Sequence, residues 1–215
     1  MDLTGTDAVL FDLDGVLVDS RVAFVRSVNA ALAEHGLPER EAAELLPHLG
    51  PPLHRTMAGF AVAEEQVDTL VMSYRARYRT TMADESAVFD GIPEVLERLA
   101  ETMPLVVATS KSQALAEPLL EQLGLRSCFA AVYGPSLQAR DEAKSLTIAR
   151  ALEGLPLARR PVMVGDRKFD VLGARAHELP CVGVLWGIGS ERELREAGAV
   201  ALVAEPAELV ALLVG

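Results

Sequence analysis

Cysteine is scarce in this chain of 215 residues: there are two, Cys128 and Cys181, each beside apolar neighbours. That scarcity excludes a disulfide-stapled secreted scaffold and fits reduced, buried thiols. There is no CxxC and no Cys/His cluster, which excludes a zinc centre built on thiolates. Positive charge is in deficit. Against 31 Asp and Glu stand 20 Lys and Arg, for a net charge of −11. A nucleic-acid polymer or an anionic membrane surface requires a basic face, so neither is the expected partner. An anionic small molecule stays open, because a bound cation and a few local donors can override the global sign. Long apolar runs are missing as well; none approaches the ~20 residues that span a bilayer. The opening residues, Met-Asp-Leu-Thr-Gly-Thr-Asp, lack the basic-then-apolar order of an export signal, so a cytoplasmic protein is expected. There is no internal repeat and no low-complexity tract.

What is present is a large apolar share, 50% of the residues. A chain of this length buries roughly 70% of the surface its unfolded form exposes. One domain, or one domain with a smaller insert, is expected. Residues 7–12 read as a first strand. From 16 to about 85 no strand is expected: helices are expected over 19–36, 39–46, 53–60 and 64–82, with Pro47, Gly50, Pro51 and Pro52 breaking the stretch. Strands and helices then alternate. The expected strands are 104–109, 129–133, 161–165, 181–185 and 200–203, and the helices 91–102, 112–123, 141–153, 168–178, 190–197 and 205–213. Such alternation builds a parallel sheet covered on both faces. The expected fold class is α/β: a Rossmann-like three-layer core of residues 1–15 and 86–215, with a helical segment, 16–85, inserted after the first strand.

The strand ends carry the chemistry. The first runs Val-Leu-Phe-Asp-Leu-Asp-Gly, so Asp12 and Asp14 stand at the rim where α/β sheets place ligands. Two apart on an extended chain, they face the same way and disfavour each other's ionisation. A divalent cation would relieve that. Asp166 and Asp170, after the strand at 161–165, add carboxylates suited to a hard, oxygen-preferring ion. Thr109 and Ser110 follow another strand and open a helix, a natural phosphate cradle. Lys144 opens the 141–153 helix, where it adds to the positive end of the dipole and favours an anion.

Together these segments resemble the motifs of the haloacid dehalogenase superfamily of phosphotransferases. They are Phe-Asp-Leu-Asp-Gly-Val (11–16), Ala-Thr-Ser-Lys (108–111), Lys144 and Val-Gly-Asp-Arg-Lys-Phe-Asp (164–170). The resemblance covers nearly the full chain, and the insert resembles the superfamily's small helical cap of the C1 type. Segments at 49–53, 89–92, 133–137 and 186–190 are similar to the phosphoglycolate phosphatase branch. The resemblance implies Asp12 as nucleophile, forming an aspartyl phosphate, and Asp14 as general acid and base. It implies Thr109, Ser110 and Lys144 as phosphate ligands. It implies Mg2+ held by Asp12, Asp14 through its backbone carbonyl, and Asp166, with the fourth metal-site residue, Asp170, acting through water or by orienting its neighbours. Asp14 favours phosphate esters over carbon–halogen bonds, since a halide leaving group needs no proton. Val16 stands where many phosphatases of the branch have threonine and phosphomutase relatives often have valine.

The substrate implied is a small phosphorylated metabolite, phosphoglycolate-like or a nucleotide, and the chain a monomer or homodimer. Gly50, Leu53, His54 and Arg55 form the expected specificity loop. Leu53 replaces an arginine with which mutase relatives grip a sugar phosphate. Arg75, Arg77 and Arg79 with Tyr74 and Tyr78 read as one helix face, and Trp186 as loop packing. Lys111 and Arg167 adjoin the motifs and could touch phosphate or pair with Asp170. The alternatives are a phosphomutase of the beta-phosphoglucomutase type and a non-catalytic phospho-ligand binding or regulatory protein. A receiver domain fits poorly, being shorter, without a helical insert, and with its phosphorylated Asp on a later strand.

Overall fold

β1 (Ala8–Phe11) is apolar and buried at all four positions, because both of its faces are covered. It is the third of six strands in a computed structural model that describes residues 3–214. After it come β2 (Val18–Asp19), α1 (Arg21–Glu34), α2 (Ala42–Leu45), a 3-10 turn at Leu46–His48, α3 (Leu53–Ala58), α4 (Gln66–Thr81) and β3 (Ala87–Val88). Then follow α5 (Ile92–Ala100), β4 (Leu105–Ala108), α6 (Gln113–Gln122), β5 (Ala131–Tyr133), α7 (Lys144–Glu153) and β6 (Pro161–Gly165). The chain closes with α8 (Lys168–Arg175), β7 (Cys181–Val184), α9 (Glu191–Ala197), β8 (Ala201–Val203) and α10 (Ala207–Leu213).

The main sheet has the order β5-β4-β1-β6-β7-β8, and every pair in it is parallel. Side chains alternate between its two faces. Ala8, Leu10, Val106 and Met163 meet α7, α8 and α9 through Ile148, Val171 and Leu194. Val9, Phe11, Val107 and Val164 meet α5, α6 and α10 through Leu96, Leu119 and Leu209. The result is the three-layer α/β/α architecture expected. The second of these cores runs on without a break into Leu45, Met57, Leu70 and Tyr78 of the helical stretch.

Two features differ from the sequence reading. Val18–Asp19 pairs antiparallel with Ala87–Val88, so a strand lies inside the stretch expected to have none. Two residues per strand carry no readable periodicity, and the pairing joins positions about 70 residues apart. Second, the expected helix over 39–46 is a single turn followed by a 3-10 turn. Of the expected core, residues 1, 2 and 215 lie outside the described residues. No helix among the described residues is long and apolar enough to cross a membrane.

Candidate active site

Register brings the motif residues together. Phe11 pairs with Val107 on one side and Val164 on the other, so β1, β4 and β6 end level. The first residues past the three strands are Asp12, Thr109 and Asp166, and all three are buried. The chain leaves β1 through Gly15, whose φ of +86° is the left-handed region that glycine adopts at low cost. A Cβ there would stand 2.3 Å from Asp166 Oδ2, so the close approach itself requires glycine.

Three carboxylates converge beneath the strand ends. Asp12, Asp166 and Asp170 each offer an oxygen within 4.8 Å of the others. Lys144, the first residue of α7, places its ammonium 2.8 Å from Asp12 Oδ1 and 2.7 Å from Asp170 Oδ1. Asp12 Oδ1 also accepts the Leu13 N–H at 2.7 Å. Asp170 sits in the first turn of α8, where its Oδ2 accepts the Arg167 N–H at 3.0 Å. Asp166 Oδ2 accepts the Ile188 N–H at 2.7 Å. Its Oδ1 is buried without a partner. An orphaned, buried oxygen facing two further carboxylates fits a hard cation, which prefers such donors.

The charges are tuned by burial and by one another. Burial raises the Asp12 carboxyl above its ordinary value; Lys144 opposes this and Asp170 adds to it. Burial raises Asp166 strongly, with Asp170 and Asp12 pushing the same way. Burial alone would lower the Lys144 ammonium, yet Asp12 and Asp170 hold it above the usual lysine range.

Asp14 belongs to a separate network. Its Oδ1 accepts the Ser20 hydroxyl at 2.6 Å, and its Oδ2 lies 2.9 Å from Lys111 Nζ. Lys111 also donates to the Tyr78 hydroxyl on α4 at 2.7 Å. The Asp14 carboxylate is therefore not in the three-carboxylate cluster. The repulsion expected between Asp12 and Asp14 is relieved by two lysines, one for each carboxylate, and the pair by itself does not require a cation. Thr109 Oγ1 accepts the Lys111 N–H at 3.2 Å.

A cavity of about 70 Å³ opens between the strand ends and the helical stretch. Asp12, Asp14, Thr109, Ser110 and Lys111 line it from the sheet, and Gly50, Leu53, His54, Tyr74 and Arg75 from the other side. Most of the expected site is thus assembled around one space. Lys144, Asp166 and Asp170 are not on its lining, and neither is Arg55. Arg55 reaches sideways to Asp141 at 3.1 Å and borders a neighbouring cavity with Ser110 and Lys144. His54 does not merely flank its helix; its Nε2 lies 3.3 Å from Asp68 Oδ1, which Arg140 also contacts. Burial lowers the His54 pKa, and Arg75 lowers it further.

Several residues at the site carry no motif. Ser20, Ile188 and Tyr78 act on motif carboxylates directly or through Lys111, and nothing in local spacing singles them out. Arg167 turns to the helical stretch instead of Asp170: its guanidinium donates to the carbonyls of Leu49 and Pro47 and to Glu193. Arg77 joins Glu85 at 2.7 Å, whereas Arg75 faces the cavity, so the arginine face of α4 divides in two. Trp186 packs a loop as expected, its Nε1 donating to the Val16 carbonyl at 3.0 Å.

The family model of the haloacid dehalogenase-like hydrolases matches residues 9–184. A 5'-nucleotidase of Pseudomonas aeruginosa is 40% identical over 190 residues, covering 87% of this chain and 86% of that protein. A phosphoglycolate phosphatase of Xanthomonas campestris is 34% identical over 209 residues, 94% of each chain. The crystal structure of a predicted phosphatase from Clostridium acetobutylicum superposes with a TM-score of 0.88 at 35% identity, covering 95% of this chain and 96% of that one.

Proposed function

The chain belongs to the haloacid dehalogenase-like hydrolases and is a phosphatase of that family, and we propose that it uses magnesium to hydrolyse a small phosphomonoester through an aspartyl phosphate on Asp12. The observation that carries this reading is the separation of the two leading aspartates. Asp12 lies at the cavity floor beside Lys144, and Asp14 lies on its wall beside Ser20 and Lys111. One carboxylate is thus placed to attack and the other to move a proton.

In this reading the Asp12 carboxylate attacks phosphorus in line and displaces the leaving oxygen, which Asp14 protonates. Asp14 then takes a proton from water as the acyl phosphate is hydrolysed. Thr109, the Ser110 amide and Lys144 bind phosphoryl oxygens and offset charge in the transferring group. Asp12, Asp166, Asp170 and the Asp14 carbonyl would hold the cation. When bound, it supplies positive charge that offsets the repulsion between an anionic nucleophile and an anionic ester. An all-oxygen donor set supports magnesium over softer ions. Residues 16–85 serve as a cap that excludes water over a core of residues 1–15 and 86–215. Gly50, Leu53 and His54 form its substrate-facing loop.

A cavity of about 70 Å³ supports a compact substrate of the phosphoglycolate type. A nucleoside monophosphate is the second reading, supported by the 40% identity to a 5'-nucleotidase. The test is inorganic phosphate release from phosphoglycolate, nucleoside monophosphates, sugar phosphates and pyrophosphate, with and without magnesium, by wild type and Asp12→Asn. Metal-dependent release that falls at least about a thousandfold in the variant is expected. Release that survives Asp12→Asn, or none from any ester by a folded protein, overturns the reading.

A further inference from the structure

Arg75 stands apart from the other cationic side chains of the cavity. Lys111 is paired with Asp14, and His54 and Arg140 both meet Asp68. Arg75 has no carboxylate partner among the described residues. One terminal nitrogen donates to the Leu137 carbonyl at 2.8 Å, which anchors the guanidinium. Its Nε is buried and has no hydrogen-bond partner. Burial lowers the Arg75 pKa, and Tyr74 offsets this only in part. Leu49, Pro52, Leu53 and Tyr74 line the same space, together with His54, Arg140 and Glu142.

An anchored, half-buried arginine with a spare donor, facing a small cavity, is what binds an oxyanion. In the phosphatase reading the transferring phosphoryl group is served by Thr109, Ser110 and Lys144. We propose that Arg75 binds a second anionic group, a carboxylate or a second phosphate, on the leaving part of the substrate. The inference rests on the phosphatase reading above and sharpens it: the enzyme selects doubly anionic, short-chain phosphomonoesters over esters with neutral leaving groups.

The test compares kcat/KM for three two-carbon esters: 2-phosphoglycolate, 2-hydroxyethyl phosphate and ethylene glycol bisphosphate. Wild type is expected to favour one or both doubly anionic esters over the neutral alcohol by about tenfold to a hundredfold, the worth of a charged hydrogen bond. The two anionic arms tell which oxyanion is read. In Arg75→Gln, which removes the cation and keeps a polar side chain, that preference should collapse towards one; Arg75→Lys should restore part of it. A variant that loses all three esters in equal proportion, or keeps the wild-type preference, overturns the proposal. Calorimetric binding of 2-phosphoglycolate to Asp12→Asn, with and without Arg75→Gln, separates it from the phosphatase reading. Binding that weakens at least tenfold with the second substitution upholds the role of Arg75 even if no ester is hydrolysed. Binding that does not weaken overturns it even if hydrolysis is confirmed.

Discussion

Asp166 is 0% exposed, with one carboxylate oxygen satisfied by Ile188 and the other unpartnered. A purely structural aspartate gains nothing from that arrangement, because an unpaired buried charge destabilises the fold. Asp166→Asn keeps an acceptor for the Ile188 N–H and removes the charge. The metal-free variant is expected to melt a few degrees above wild type. The melting temperature of wild type should rise with added magnesium, and that of the variant should not. A lower melting temperature in the variant, or an undiminished magnesium shift, would remove Asp166 from the cation site. At this scale the sequence was informative where a polar residue ends an apolar strand: Asp12, Thr109 and Asp166 all lie just past strand ends. It marked Arg75 and Tyr78 only as members of one helix face. Their roles depend on which face of α4 turns towards Lys111 and Leu137, more than 30 residues further along the chain.

Elements place those residues, and here the long strands were easier to read than the short ones. β1, β4, β6 and β7 are buried throughout or nearly so, and each shows as an unbroken apolar run. β2 and β3 owe their existence to each other, and neither shows in the local sequence. Beside that narrow ladder Glu85 accepts hydrogen bonds from Arg77 on α4 and Arg26 on α1, tying the two longest helices to the chain that leaves them. The Arg77 hydrogen bonds hold the Glu85 carboxyl down, from the ordinary 4.5 to about 2. A depressed carboxylate stabilises the fold fully above its unfolded pKa and loses that contribution as pH falls through its folded one. Glu85→Gln is therefore expected to lower stability at neutral pH by on the order of 1 kcal/mol, after allowance for solvent screening. The gap in melting temperature between wild type and variant should be constant above about pH 5 and close as pH falls towards 2. A gap that widens in acid would contradict the assignment.

At the scale of the whole molecule, the question is which contacts hold the helical stretch over the strand ends. Beside the bonds of Arg167 to the Leu49 and Pro47 carbonyls and of Arg75 to the Leu137 carbonyl, two kinds can be compared. Arg55–Asp141 and Arg140–Asp68 are ion pairs at the rim, with both partners of each pair about half exposed or more. Such pairs contribute roughly 0–1 kcal/mol. The Lys111–Tyr78 contact is different, because Tyr78 is 0% exposed, stacks on Tyr74 at 5.4 Å and reaches Asp14 through the same ammonium. A hydrogen bond from a charged donor in such surroundings contributes about 1.5–3 kcal/mol. In the mechanism proposed above, this joins cap closure to the proton-moving carboxylate at Lys111. Tyr78→Phe removes the hydroxyl and keeps the ring stack, so it tests the link without emptying the core. It should lower kcat/KM on the preferred ester by about tenfold, with a change in the acid or basic limb of the pH profile. Arg55→Ala, which removes a rim pair only, should change kcat/KM by less than about twofold. If the order of the two effects were reversed, the rim pairs would hold the closed state, and the Lys111 link would be a packing contact without a part in the chemistry.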